Sequence, residues 1–218
     1  MMRLYHRYQP IERDANMPFE EKCIHMDAWW TQTYERYLTL DIQKSMLPEM
    51  IQRANIQLRH GVDELMRLCR ALQVPVKVIS AGLGNFITLL LTAACGFDDS
   101  HIISNFLLFD QVGKLNGFSE PLIHSLKKSQ VLKSHPLRPN LLVLGDMPSD
   151  TNVLQSANCS TSLCIGYAND LAKVPLEGYL PRYDLLVLKD GDLDVVAEVI
   201  KVAAGQKTVE DLWVQISR

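Results

Sequence analysis

NLLVLGDMPSD, Asn140–Asp150, decides the fold of this chain. Four apolar residues in a row, Leu141–Leu144, suit a strand buried on both faces, as in a parallel sheet. The strand runs straight into Gly145-Asp146, and Asp150 follows four residues later. A carboxylate placed there sits at the carboxyl edge of the sheet, where open α/β folds hold their ligands. With a helix starting near Pro148, Asp146 and Asp150 share that mouth, close enough to bind one hard cation such as Mg²⁺. A strand-to-helix turn with Asp as its N-cap fits the same eleven residues. The remainder of the chain has to choose between the two.

Downstream, the pattern predicts a helix at about 151–157, strands over 162–166 and 185–188, and a last helix over 193–203. The tail, 208–218, adds a short helix. Upstream, Val74–Ile79 is short and β-branched and ends at Ser80-Ala81-Gly82, before an apolar helix over 85–94. Ile102-Ile103 reads as a strand. A hairpin follows over 106–118, with Gly113 and Gly117 as turn residues, and then a short helix over 120–132. Strand and helix alternating around buried strands means an α/β sheet fold. Before residue 74 the pattern is helical: Pro18–Leu38 with Glu20 and Glu21 near its positive end, then 44–55, then 61–73. In the last of these Val62, Leu65, Met66, Cys69 and Leu72 share one face. Residues 1–16 are polar and show no clear period. The expected division is a helical cap over 1–73, an α/β core over 74–206 and a tail over 207–218.

The bulk numbers narrow the class. At 218 residues the chain is long enough for one core with a smaller appendage. A net charge of −3 without a Lys/Arg cluster argues against a nucleic-acid footprint. Five cysteines without a C-x-x-C pair read as reduced thiols, not a disulfide frame or zinc site. The first residues lack the apolar stretch of a signal peptide, and the longest apolar-rich run, 86–95, is too short to span a bilayer. A soluble, intracellular protein is expected.

Two further features carry chemistry. Ser80-Ala81-Gly82, at a strand-to-helix junction, offers helix-start amides and a hydroxyl, a cradle for an anion, or else a capped tight turn. Lys128, beside Lys127 and ahead of the Asp146 strand, is a cation for that anion, or else part of a solvated helix face. Taken together, cradle, lysine and carboxylates are what phosphoryl transfer requires, because its transition state spreads negative charge over several oxygens.

In this order the residues resemble motifs two, three and four of the haloacid dehalogenase superfamily. Further stretches resemble the cytosolic pyrimidine 5′-nucleotidases: EEK…WWT over 20–31, SAGLGN over 80–85, SNF..FD..G.L.GF over 104–118 and IH…K over 123–128. The resemblance covers about residues 8–204. It implies a Rossmann-type parallel sheet with a helical cap. The implied activity is Mg²⁺-dependent removal of the 5′-phosphate from nucleoside monophosphates such as CMP, UMP or 7-methyl-GMP, through an aspartyl-phosphate. It also implies roles for residues. Ser80, Ala81 and Gly82 would hold the phosphate, and Lys128 would neutralise it. Asp146 would bind Mg²⁺, and Asp150 would complete or orient that site. In the cap, Glu12 of IERD falls on the family's base-recognising acid, and Thr33 on a serine near the substrate. Trp29 and Trp30 are expected to pack the cap. The implied partner is a nucleoside 5′-monophosphate, with no nucleic acid and no membrane, and the chain is expected to be a cytoplasmic monomer.

One departure stands out. The family's first motif, D-x-D-x-T/S after an apolar strand, supplies the nucleophile, and this chain starts after the point where it should lie. Asp190-Gly-Asp192 and Asp192-Leu-Asp194 have no Thr or Ser at the right place and read as a turn and helix N-cap. Without that motif covalent catalysis is not available to these residues, and the sheet should lack its central strand. Two expectations follow from this, beside a third reading in which Asp190 or Asp192 serves as the acid of a phosphatase. One is a 5′-nucleotidase family protein whose 218 residues keep the contacts but turn over little. The other is a catalytically dead nucleotide and Mg²⁺ binder or regulator.

Overall fold

The computed structural model describes residues 2–14, 16–172 and 174–216. In chain order, helices α1 (Met2–Arg13), α2 (Phe19–Leu38), α3 (Leu47–Ala54) and α4 (Val62–Ala71) come first. Strand β1 (Val78–Leu83), helix α5 (Gly84–Cys95) and strand β2 (Ile102–Asn105) follow, then the hairpin β3 (Leu107–Phe109) and β4 (Leu115–Phe118). After α6 (Lys128–Val131) come β5 (Asn140–Gly145), a 3₁₀ helix over Pro148–Ser156, β6 (Thr161–Ala168), α7 (Leu176–Tyr179) and β7 (Leu185–Leu188). The chain closes on α8 (Asp194–Ala203) and α9 (Val209–Ile216), so the tail does form a helix; residues 217 and 218 lie outside the described residues.

The strands form two parallel sheets and not one. β1 pairs with β2, and β5, β6 and β7 pair in that order. Among the described residues no strand bridges β1 and β5, as the resemblance implies for a sheet without its middle. The side chains record the open edge. β5 is apolar from Leu141 to Leu144 yet stays half-buried, with Leu144 39% exposed. β6, by contrast, is covered on both faces. Ile165 and Tyr167 point to one side, against Leu65 and Cys69 of α4 and Val196, Val199 and Ile200 of α8. Cys164 and Ala168 point to the other, against Tyr179 and Tyr183. That alternation is the period of two that a strand imposes.

Four local expectations are corrected. Residues 2–13, read as aperiodic, form α1. Leu4 and Tyr8 are four apart and bury one short stripe against Met26 of α2, a tertiary contact that outweighs the helix-breaking Pro10. Ser80, Ala81 and Gly82 lie inside β1 and not beyond it. The helix expected over 151–157 is instead 3₁₀ from Pro148, because Asp150 and Thr151 side chains bond locally to backbone and compete with α-helical pairing. The helix expected over 120–132 shrinks to Lys128–Val131, because both backbone groups of Ile123 are taken by the Asn105 side chain. Trp29, as expected, packs the cap: it stacks on Tyr8 with ring centroids 5.9 Å apart.

Ile165 is fully buried between α4 and α8. Ile165→Ala should therefore cost about 3 kcal/mol of stability, read as a lower urea midpoint with an unchanged slope.

Candidate phosphate and metal site

The site is built from the carboxyl ends of β1 and β5 and from the turn that leads into α6. β5 delivers Gly145 and Asp146, and the 3₁₀ helix brings Asp150 back beneath them. The Asp150 carboxylate is buried. Its Oδ2 accepts the amides of Asp146 and Met147, each at 3.1 Å, and its Oδ1 accepts Lys128 Nζ at 2.8 Å. Gly145 is what lets the carboxylate approach. A Cβ there would lie 2.5 Å from Asp150 Cβ and 2.6 Å from the Tyr183 hydroxyl. Asp146 is exposed, and among the described residues its carboxylate has no hydrogen bond or ion pair.

Two tyrosines pin this turn from below. The Tyr179 hydroxyl donates to Asp146 O at 2.9 Å and the Tyr183 hydroxyl to Met147 O at 2.6 Å. Burial raises both phenols, and the negative charges of Asp146 and Asp150 raise them further. Both stay neutral donors across the working pH range. Asp150 accepts three donors within the protein, whereas among the described residues the Asp146 carboxylate accepts none. A single exposed carboxylate beside an oriented backbone turn is a hard oxygen donor of the type Mg²⁺ takes, with water completing the shell. The residues fit the ion.

The β1 side forms the other wall of this candidate site. Ile79 pairs with Ile103 and Leu83 with Asn105, so β1 spends four residue steps where β2 spends two. This bulge frees part of the 80–82 backbone from the ladder. Side chains hold it instead: Asn105 Nδ2 donates to Ala81 O at 2.8 Å and Ser104 Oγ to Gly82 O at 3.0 Å. The Ser80 hydroxyl accepts the Gly82 amide at 3.0 Å. α5 then starts at Gly84, under the Phe106 ring, where a Cβ would lie 2.5 Å from the ring. The first amides of a twelve-residue helix, unpaired within it, point back toward this end of the sheet.

Of the residues singled out from the sequence, Lys128, Asp146 and Asp150 come together directly, and α6 packs beside β1, which carries Ser80, Ala81 and Gly82. Glu12 reaches the same region, since its carboxylate accepts the Ser125 hydroxyl three residues before Lys128. Thr33 is buried on α2, and among the described residues no hydrogen bond joins it to the others. Asp190 and Asp192 stand apart, at the start of α8. Asp190 lies in a turn with φ 55° and pairs with Arg59 at 3.0 Å, and Asp192 Oδ1 accepts the Asp194 amide at 3.0 Å, but the N-cap of α8 is Leu193 and not the aspartate expected there. Sequence reasoning missed Asn105, Ser125, Asp27 and the two tyrosines as supporting residues. Ser104-Asn105 lay within the quoted SNF stretch, but nothing there showed that the amide would bridge two backbones.

The turn before Lys128 contains a fully buried histidine, His124. Its Nδ1 accepts the Leu126 amide, and its Nε2 faces Asp27 Oδ1 at 3.3 Å without the alignment of a hydrogen bond. Burial lowers its pKa from 6.5 to about 4, helped by Lys127 and opposed by Asp27.

A profile of the pyrimidine 5′-nucleotidase (UMPH-1) family matches residues 1–204. The 7-methylguanosine phosphate-specific 5′-nucleotidase of Gallus gallus is 30% identical over 207 residues, 91% of this chain and 72% of that protein. Its namesake in Homo sapiens is 30% identical over 202 residues, 88% of this chain and 67% of that one. Among solved structures, cytosolic 5′-nucleotidase IIIB bound to cytidine superposes with a TM-score of 0.81. It is 28% identical and covers 94% of this chain and 72% of its own. A phosphoserine phosphohydrolase-like protein from Francisella tularensis, 12% identical with a TM-score of 0.56, shares the fold.

Two outcomes follow from the geometry. Gly145→Ala should drive Asp150 off its amides and weaken Mg²⁺ binding about tenfold, measured by calorimetry. A histidine whose folded pKa lies below its unfolded value stabilises the fold above pH 6.5 and loses that contribution as pH falls from 6.5 toward 4. Urea midpoints across that window should fall less steeply in His124→Gln than in the parent. On its fold, its site and these matches, the chain belongs to the pyrimidine 5′-nucleotidase family, a family of phosphoric monoester hydrolases.

Proposed function

We propose that this protein binds nucleoside 5′-monophosphates with Mg²⁺ at the mouth formed by β1 and β5, as a 5′-nucleotidase site. The observation that carries the reading is the Lys128–Asp150 pair at 2.8 Å beside the free carboxylate of Asp146. A lysine and a metal ligand brought together by one buried carboxylate are the charge pattern that a phosphoryl group requires. Mg²⁺, when bound, supplies a positive charge that polarises the phosphoryl oxygens.

The residues divide the work. The Ser80 hydroxyl, Ala81 and the start of α5 receive phosphate oxygens, Gly82 holds the Ser80 hydroxyl in place through its own amide, and Lys128 offsets the charge. Asp146 holds the ion. Asp150 fixes the turn that presents Asp146 and, through its ion pair, holds Lys128 at the start of α6. In the cap, which we place over residues 1–73 with α4 seated on the core, Glu12 is the acceptor for a base. Ser125 occupies one of its oxygens. The other accepts an exocyclic amine, a group that cytosine and 7-methylguanine carry and uracil lacks. Thr33 closes the base side. Relatives named for 7-methylguanosine phosphate and a neighbour holding cytidine support this pair of bases.

No D-x-D-x-T/S occurs in the 218 residues, and Asp190 and Asp192 are committed to Arg59 and α8. These residues by themselves therefore bind substrate with little turnover. Among the described residues no helix is long and apolar enough to cross a membrane. A cytoplasmic monomer that meets free nucleotides fits this reading.

The test is calorimetric binding of CMP, UMP and 7-methyl-GMP with Mg²⁺, alongside phosphate release, in the chain and in Asp146→Asn. Expected is Mg²⁺-dependent binding of CMP and 7-methyl-GMP that falls at least about tenfold in the variant, with UMP weaker and little phosphate released. Rapid release that vanishes in Asp146→Asn would mean that an acid among these residues acts as nucleophile. Equal nucleotide binding with and without Mg²⁺ would overturn the assignment of the site.

A further inference from the structure

Between Ser119 and Lys127 the chain has neither helix nor strand, yet it must set Lys128 Nζ within 2.8 Å of Asp150. Something other than secondary structure fixes it. On the core side the answer is Asn105, fully buried, whose amide accepts Ile123 N–H at 2.9 Å and donates to Ile123 O at 2.7 Å. On the cap side Glu12 accepts the Ser125 hydroxyl and Leu126 packs against Leu4, Tyr8 and Met26, while Asp27 holds the residues on either side. Both oxygens of Asp27, on α2, accept Lys127 Nζ at 2.7 Å, and Oδ1 also faces the buried His124 Nε2.

The turn closes on itself between those two contacts. Lys127 N–H donates to His124 O at 2.9 Å, and the Leu126 amide donates to His124 Nδ1 at 3.3 Å. With Nδ1 accepting, the neutral ring carries its proton on Nε2, toward Asp27. Residues 123 and 128 are thus tied to the core, and 124 and 127 to α2. An irregular five-residue segment so held has one conformation, and Lys128 leaves it in one direction.

We propose that Asp27 is a positioning residue for the phosphate-site lysine. Through Lys127 and His124 it holds the 124–127 turn, keeps Lys128 on Asp150, and so couples the seating of cap helix α2 to the positive charge presented to phosphate. The inference rests on the reading of the Lys128–Asp150 pair as part of a phosphate site. Among the described residues no hydrogen bond or ion pair links Asp27 to that pair directly, and its effect is carried by the backbone of the turn.

The experiment compares the chain with Asp27→Asn, Asp27→Glu and Lys127→Gln, all checked for folding by circular dichroism. The Lys128 side-chain signal, assigned in ¹³C-lysine NMR spectra, reports its pairing without any ligand. Inorganic phosphate affinity in Mg²⁺ is measured by calorimetry. Expected are a shifted and broadened Lys128 signal and about tenfold weaker phosphate binding in Asp27→Asn, a similar change in Lys127→Gln, and substantial recovery in Asp27→Glu. A structural role alone would lower the melting temperature and leave the Lys128 signal where it was. An unchanged Lys128 signal in folded Asp27→Asn and Lys127→Gln overturns the proposal. If the parent chain binds no phosphate, the site reading fails, and the Lys128 signal still decides whether Asp27 positions that lysine.

Discussion

The Asp150 carboxylate is the constraint on which the site depends. It is buried and charged, a state that is tolerated only when such a group is fully bonded. Two backbone amides and one ammonium meet that need, and in doing so they fold three pieces of chain around a single point. The end of β5, the start of the 3₁₀ helix and the first residue of α6 cannot move independently while Asp150 keeps its donors. Gly145 is required because the carboxylate lies against its backbone. The tyrosines beneath are required because the same turn leaves Asp146 O and Met147 O facing the interior.

This arrangement separates two jobs that the sequence assigned jointly to a pair of aspartates. Asp150 uses both oxygens within the protein, whereas among the described residues Asp146 uses neither and faces solvent. The division follows from position. The residue at the strand end projects from the sheet edge, and the one four further on is turned back under it by Pro148 and the 3₁₀ helix. A parallel division holds across the mouth, where the bulge of β1 offers backbone to a ligand because Asn105 and Ser104 hold it from the side.

Most of the fold was legible because its signals are local. β5 and β7 are unbroken apolar runs, β6 alternates, and α2, α3, α5 and α8 carry caps or periodic faces. Of the residues singled out for a phosphate mouth, Asp146 follows a strand end and Lys128 opens a helix, places that local pattern marks, whereas Ser80, Ala81 and Gly82 lie inside β1. What escaped was set by distant contacts. α1 is helical because Met26 buries Leu4 and Tyr8, a relation invisible in a polar segment containing Pro10. The 119–127 segment is irregular because Asn105, fourteen or more residues upstream, takes the backbone of Ile123. Ser80-Ala81-Gly82 was placed after its strand because a bulge looks like a strand end when only propensity is read. The split sheet is the opposite case. It was expected from the motif order, and the half-exposed leucines of β5 are its physical trace.

The assignment of the metal and phosphate mouth is tested most directly by a crystal structure of the chain grown with Mn²⁺, a substitute for Mg²⁺ that scatters anomalously, together with CMP. An anomalous peak on the Asp146 carboxylate, with the nucleotide phosphate between it and Lys128, is the predicted result. A peak instead on His60, Asp192 and Asp194, the one set of three or more His, Cys, Asp or Glu among the described residues whose donor atoms lie within 4.8 Å of one another, with none at Asp146, would contradict it.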